Sequence, residues 1–229
     1  MPTHLVTGGA GFIGSHLAAS LIERGDDVVV LDNLDGGKTE NVPDGATLLV
    51  GSVADQATVA ELFASYRFDG VYHLAAFAAE GISHAVKRHN YSVNLLGSIN
   101  LINASLAAKV RFFGFASSVA VYGHGHVPMR EDERPVPADS YGNAKLAVER
   151  ELAVTMKLQG LPYFALRMHN PFRIVRPDDT IVDAIRLPFK MRLFNGKNDV
   201  LAVIGMNPLQ ERFIVQRHHP ENMIYLGRP

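Results

Sequence analysis

Gly8-Gly9-Ala10-Gly11-Phe12-Ile13-Gly14 separates a short β-branched run, Leu5-Val6-Thr7, from a helical pattern that reaches about Arg24. The run satisfies both Gly-x-Gly-x-x-Gly (Gly9, Gly11, Gly14) and Gly-x-x-Gly-x-x-Gly (Gly8, Gly11, Gly14). A Cβ at such a turn would keep the backbone away from a pyrophosphate, and the free amides at a helix start then face its negative charge. A tight turn alone would use the same glycines. What favours a phosphate cradle is the acid that follows: Asp32 ends the next apolar run, 18 residues past Gly14. A carboxylate there accepts from both ribose hydroxyls of an adenosine and repels a 2′-phosphate, which predicts NAD rather than NADP.

A second constellation lies further along. Ser140-Tyr141-Gly142-Asn143-Ala144-Lys145 opens a long helical pattern, and residues four apart share a helix face, so Tyr141 and Lys145 project together. A tyrosine titrates near ~10, well above the neutrality that suits a general base. A neighbouring ammonium and a bound nicotinamide cation both favour the phenolate, each pKa unit being worth ~1.36 kcal/mol. Lys145 can also hold the nicotinamide ribose. Ser117-Ser118, at the end of a preceding strand pattern, could hydrogen-bond the reacting hydroxyl. A surface pair of tyrosine and lysine is the alternative.

These residues need elements to position them, and the chain supplies an alternation. Apolar runs at Val28–Leu31, Thr47–Val50, Gly70–Leu74, Phe112–Ala116 and Tyr163–Leu166 read as strands. Between them, helical patterns cover about 56–66, 92–107 and 140–158. Strands apolar throughout are buried on both faces and helices cover them, which predicts an α/β fold with a doubly wound, Rossmann-type parallel sheet. Beyond Pro171 the character changes. Residues 1–170 carry 13 Lys/Arg against 17 Asp/Glu, whereas residues 171–229 carry 9 against 6. Pro188 interrupts a helical pattern from Ile181 to Phe194, and short strand candidates follow at Val200–Ile204 and Arg212–Val215. The expected division is a dinucleotide-binding domain over 1–170 and a short, atypical carboxyl-terminal segment over 171–229.

At this point the chain closely resembles the extended short-chain dehydrogenase/reductase family, in particular its nucleotide-sugar epimerases and dehydratases. The resemblance rests on TGGAGFIGSH (Thr7–His16), VVVLDNLDGG (Val28–Gly37), YHLAAFAA (Tyr72–Ala79), VNLLGSINLINAS (Val93–Ser105), FASSVAVYG (Phe115–Gly123), SYGNAK (Ser140–Lys145) and LRMHNP (Leu166–Pro171). It implies Tyr141 as catalytic base, Lys145 as its modulator and ribose ligand, and Ser118 as the hydroxyl partner of the substrate. It also implies NAD lined by Gly8, Gly11, Phe12, Ile13, Gly14, Asp32 and Asn33. Leu74, Ala75 and Ala76 would pass beneath the cofactor, with Asn94 and Ser117 near it, Pro171 by the carboxamide and Asn170 near the substrate diphosphate. The implied activity is 4-epimerisation of a UDP-sugar through a transient 4-keto intermediate, with NAD held rather than exchanged. Family dehydratases usually carry an Asp-Glu pair after the serine; Val119-Ala120 stands here, which favours an epimerase. A dehydratase or oxidoreductase of the same family, and a catalytically weak NAD-binding protein, remain the alternatives.

Two departures stand out. Where the family shows Gly-Asp after the third strand, this chain has Gly51-Ser52-Val53, so Ser52 and Val53 would meet the adenine, and Asp55 reads as a helix cap. Past Pro171 the family's substrate domain is hard to trace, so a truncated lid and poor turnover are also compatible. Composition excludes other classes. There are no cysteines, so thiolate zinc sites and disulfides are out, and a net charge of −1 gives no pull toward nucleic acid. Ten histidines group closely only at His124-Gly125-His126 and His218-His219, which read as loop residues rather than a metal site. The expected setting is the cytoplasm, with no membrane partner and a homodimer through the helices near 92–107 and 140–158.

Overall fold

The computed structural model describes residues 1–124 and 129–168, and beyond them the backbone of the strands at 173–175, 181–183, 200–207, 212–215 and 224–226. Strand β1 (Thr3–Thr7) leads through the glycine turn into α1 (Phe12–Glu23), followed by β2 (Asp27–Asp32), β3 (Ala46–Val50), α2 (Gln56–Ser65) and β4 (Gly70–His73). A 3₁₀ turn (Glu80–Ile82) precedes α3 (Lys87–Tyr91), a π-helical stretch (Ser92–Leu96) and α4 (Gly97–Ala108). Then come β5 (Phe112–Ser118), a second 3₁₀ turn (Val119–Tyr122), α5 (Ser140–Gln159) and β6 (Tyr163–Met168). The remaining strands are β7 (Arg173–Val175), β8 (Ile181–Asp183), β9 (Val200–Asn207), β10 (Arg212–Val215) and β11 (Ile224–Leu226).

The main sheet has the order β11-β10-β9-β6-β5-β4-β1-β2-β3. From β3 to β9 every neighbouring pair is parallel, and β10 and β11 add antiparallel at the far edge. The chain winds outward from β1 through β2 to β3, then returns to β4 on the other side of β1. That reversal opens a crevice at the carboxyl ends of β1 and β4, where ligands of such sheets bind.

Side-chain alternation sorts the core into two layers. Leu5, Val29, Leu31, Val71, Phe113 and Phe115 face one side, where α2, α4 and α5 cover them with Val59, Leu62, Leu101, Ile102, Val148 and Leu152. Val6, Val28, Val30, Tyr72 and Phe112 face the other, against Leu17, Ala18 and Leu21 of α1. Each large apolar side chain fully buried in this way contributes roughly 1.5–3 kcal/mol. Caps fix the helix starts. The Asp55 carboxylate accepts from the Ala57 amide at 3.0 Å, the capping role read for it in the sequence, and Asp139 does the same for α5 from Gly142 at 2.7 Å.

Two expectations are corrected. The helix placed at about 92–107 starts at Lys87, because Asn90 and Asn94 turn inward and find partners there; the polar run Lys87-Arg88-His89-Asn90 hides this from an apolar periodicity. The helical pattern from Ile181 opens instead as β8, whose backbone pairs antiparallel with β7. The strands expected near 200–204 and 212–215 are β9 and β10, and β9 joins the main sheet beside β6.

Candidate active site

The turn after β1 is built for close approach. Gly8 has φ +73°, and a Cβ on it would stand 2.7 Å from the Ala75 amide nitrogen; one on Gly14 would stand 2.1 Å from the Gly8 carbonyl oxygen. Both contacts are too short for any side chain, so the turn, the start of α1 and the segment after β4 interlock only as glycine allows. Gly11 is the N-cap of α1 and no side chain caps it, which leaves the first amides of the helix for an external acceptor. These features fit a dinucleotide diphosphate.

At one end of the crevice, Asp32 is buried. Its Oδ2 accepts from the Ala10 amide at 3.0 Å and its Oδ1 from the Leu34 amide at 2.9 Å, so the carboxylate is fixed while each oxygen keeps a further acceptor site. Leu34 sits at φ +62°, a left-handed conformation held by that second bond. The cleft here, of about 810 Å³, is lined by Gly8, Gly11, Asp32, Asn33, Ser52, Val53, Leu74, Ala75 and Ala76 among others. It shares Gly8, Gly11, Leu74, Ala76 and Ala78 with a second cleft of about 360 Å³, so the two form one groove. The second carries Phe12, Ile13, Gly14, Ser117, Ser118, Tyr141 and Lys145. One groove therefore joins the glycine turn to the tyrosine.

Tyr141 and Lys145 lie one turn apart on α5, with the Lys145 Nζ 5.6 Å from the phenol ring centroid and donating to the Ala116 carbonyl at 2.8 Å. Burial pushes the phenol up to about 12; a hydrogen bond with Ser118 opposes this, while the charges of Glu80 and Asp139 add to it. Burial lowers Lys145 to about 7, against the opposing pull of Glu149. In this structure burial, rather than the Lys145 ammonium, sets the direction of the phenol's shift. The lysine shift has a consequence for stability. A folded lysine near 7 against an ordinary 10.5 binds fewer protons than the unfolded chain across that window, so folding gains stability as pH rises from about 7 toward 10.5. Denaturation midpoints measured between about pH 6.5 and 9.5 should rise relative to a Lys145→Met variant. A pH-independent difference would contradict the assignment.

A buried polar chain supports the groove from beneath. Thr7 Oγ1 lies 2.7 Å from His73 Nδ1, and His73 Nε2 lies 2.8 Å from Ser98 Oγ. The Ser98 hydroxyl spends its proton on the Asn94 carbonyl at 2.8 Å, so His73 must donate from Nε2 and accept at Nδ1 from Thr7. Burial, then the Lys145 charge, drops this histidine to about 3, which agrees with a neutral ring. Thr7 Oγ1 in turn accepts from the Ala75 amide at 3.2 Å and steadies the floor of the groove. Asn94 does not line the groove. Its amide grips the backbone of Phe77, accepting at 2.8 Å and donating at 2.9 Å, and donates to Asn90. Ser117 is buried and donates to Glu149, which forms a two-pronged ion pair with Arg167.

Asn170, Pro171, His126 and His218-His219 lie outside the described residues. Among the described residues no group of side chains is arranged to hold a metal ion, and no helix is long and apolar enough to cross a membrane. Sequence reading missed Glu80, Ala116 and Met168 in the lining. Glu80 had a signal, a lone carboxylate closing the run Leu74–Ala79; Ala116 acts through its carbonyl, which no side-chain pattern reports.

Comparison with known proteins agrees with this geometry. The model of the "NAD dependent epimerase/dehydratase family" matches residues 4–182. A UDP-glucose 4-epimerase of Streptomyces lividans is 34% identical over 210 residues, covering 88% of this chain and 63% of that protein. One from Halalkalibacterium halodurans is 35% identical over 208 residues, covering 88% and 61%. Among solved structures, the Thermus thermophilus UDP-glucose 4-epimerase in complex with NAD superposes with a TM-score of 0.69 at 39% identity, covering 72% of this chain and 54% of the other. The Thermotoga maritima UDP-glucose 4-epimerase with UDP-glucose gives 0.71 at 36%, covering 78% and 60%. The chain thus spans between half and two thirds of the length of these relatives.

Proposed function

The chain belongs to the NAD dependent epimerase/dehydratase family, and from that premise we propose that it is an NAD-dependent nucleotide-sugar epimerase, acting at C4 of a UDP-sugar. The observation that carries this reading is the single groove running from Asp32 past the glycine turn to Tyr141, Lys145 and Ser118. NAD, when bound, supplies a hydride acceptor that is regenerated within each turnover. The chain's own residues do the rest. The amides at the start of α1 receive the diphosphate, and the free acceptor sites of Asp32 take the adenosine ribose hydroxyls. Lys145 spends one proton on Ala116, leaving two donors for the second ribose. Tyr141 Oη takes the proton of the sugar 4-hydroxyl and returns it after the keto sugar has turned over, with Ser118 Oγ holding that hydroxyl in line. Ser52 and Val53 line the adenine end, and Asn170 and Pro171 are assigned to the diphosphate and carboxamide from the family pattern.

Val119 and Ala120 occupy the turn after Ser118, and Ala120 is buried, so this segment offers no carboxyl pair for eliminating water. That favours epimerisation over dehydration. The reading includes a division at about residue 170, a cytoplasmic setting fitting the substrate class, and a homodimer through the helices near 92–107 and 140–158. Leu96, Val154 and Leu158 leave apolar surface exposed for that pairing. The test is incubation with UDP-, GDP- and dTDP-sugars without added cofactor, following interconversion of isomers. Conversion of a UDP-sugar to its 4-epimer is expected; a released keto-sugar or net NADH formation would replace the reading.

A further inference from the structure

The segment after β4 runs through Leu74–Ala79 without a charge and then turns at Glu80–Ile82. This turn is tied to the helix that carries the phenol: the Tyr141 amide donates to the Ser83 hydroxyl at 3.2 Å. The tie places Glu80 in the lining of the same cleft as Tyr141, Ser118 and Lys145. Glu80 raises the phenol's pKa by its charge, and is itself moved above the ordinary carboxylate range by burial first and then by the neighbouring carboxylate of Asp139, the cap of α5. Lys145, the other charged side chain of that lining, is buried and committed to the Ala116 carbonyl. The open wall beside the base is therefore negative, with no exposed cation among the described lining residues.

Resting on the epimerase reading, we infer that Glu80 is a specificity-determining residue that selects nucleotide sugars with a neutral hexose ring against those whose ring carries a carboxylate. A neutral hexose presents hydroxyl donors that the Glu80 carboxylate accepts through charge-assisted hydrogen bonds. A uronic acid in the same cleft sets a second carboxylate beside the exposed Glu80 carboxylate, the repulsive element by which sites discriminate. Asp139 strengthens the effect, because its own carboxylate cannot shift to compensate while it caps α5.

The experiment compares binding of UDP-glucose and UDP-glucuronate to the NAD-saturated full chain by calorimetry, with turnover followed in parallel. The wild-type chain should bind UDP-glucose at least about tenfold more tightly. Glu80→Gln should bring the two within about threefold by tightening UDP-glucuronate, and Glu80→Lys should reverse the order. Because each value is a ratio on one preparation, a partly unfolded variant does not disturb it. Equal affinities in the wild type, or an unchanged ratio in both variants, overturn the role of Glu80. The expected ratios without epimerisation would instead overturn the epimerase reading alone, and binding of neither sugar would overturn both.

Discussion

Tyr141→Phe should lower the turnover of a nucleotide sugar by about two to four orders of magnitude, the range for loss of a positioned general acid-base group. Dinucleotide affinity should stay within about threefold, because the glycine turn, Asp32 and Lys145 are untouched. The substitution removes one oxygen and keeps the ring, so the packing of α5 near Ser83 and Ala116 is preserved. What disappears is the phenol oxygen, which hydrogen-bonds Ser118 and which we propose as the proton acceptor. Burial keeps this phenol near 12, so at neutral pH the proposed base role requires positive charge brought against it. Lys145 is one source of that charge, although at about 7 it is itself half-deprotonated near neutrality. Turnover should therefore respond to pH through the lysine and tyrosine together. The measurement is a steady-state rate on protein whose bound dinucleotide has been quantified by extraction. Undiminished rates in the phenylalanine variant would remove Tyr141 from the chemistry.

Arg167→Met should destabilise the fold by about 3–5 kcal/mol, the cost of stranding a buried charge. Arg167 donates to Glu149 Oε1 at 3.0 Å and to Oε2 at 2.7 Å, and to the Tyr122 phenol at 2.5 Å. These groups sit between β6, α5 and the turn after β5, with side-chain exposures of 6% and 7% for the arginine and glutamate, so solvent cannot replace the lost partner. Among the described residues the Ser117 hydroxyl would then be left as donor to Glu149, a neutral group facing a full charge. For a chain of this size the loss corresponds to roughly 2–4 °C in Tm per kcal/mol, so about 6–20 °C in all. Pairing it with Glu149→Leu should restore much of the stability, because an apolar pair avoids the desolvation of both ions. Urea denaturation of the single and double variants decides this; a single-variant loss below about 1 kcal/mol would mean that the pair is hydrated.

The alternation of apolar strands and helices was enough to place β1 to β6 and four of the helices, because strands buried on both faces leave a continuous apolar record in the chain. The glycine turn was equally legible. Its spacing between a strand and a helix is a backbone requirement written directly in residue types, and Asp32 is recorded the same way by its place at the end of β2. Tyr141 and Lys145 could be paired because four residues make one helical turn.

Contacts across the sheet left no such record. That Lys145 rests on the Ala116 carbonyl, that Thr7, His73 and Ser98 form one proton-ordered chain, and that Asn94 clamps Phe77 rather than lining the groove all depend on strands and helices far apart in sequence. Tertiary burial also set the sign of the tyrosine's shift, since spacing places two groups together but cannot say how much water they lose. Sequence alone thus determined the parallel α/β architecture, the dinucleotide turn and the helical pairing of phenol and ammonium, each a local periodicity or a local steric demand. Only the folded chain decided which groups are desolvated and which carboxylate stands beside Tyr141, because both follow from surfaces that meet after the crossover from β3 to β4.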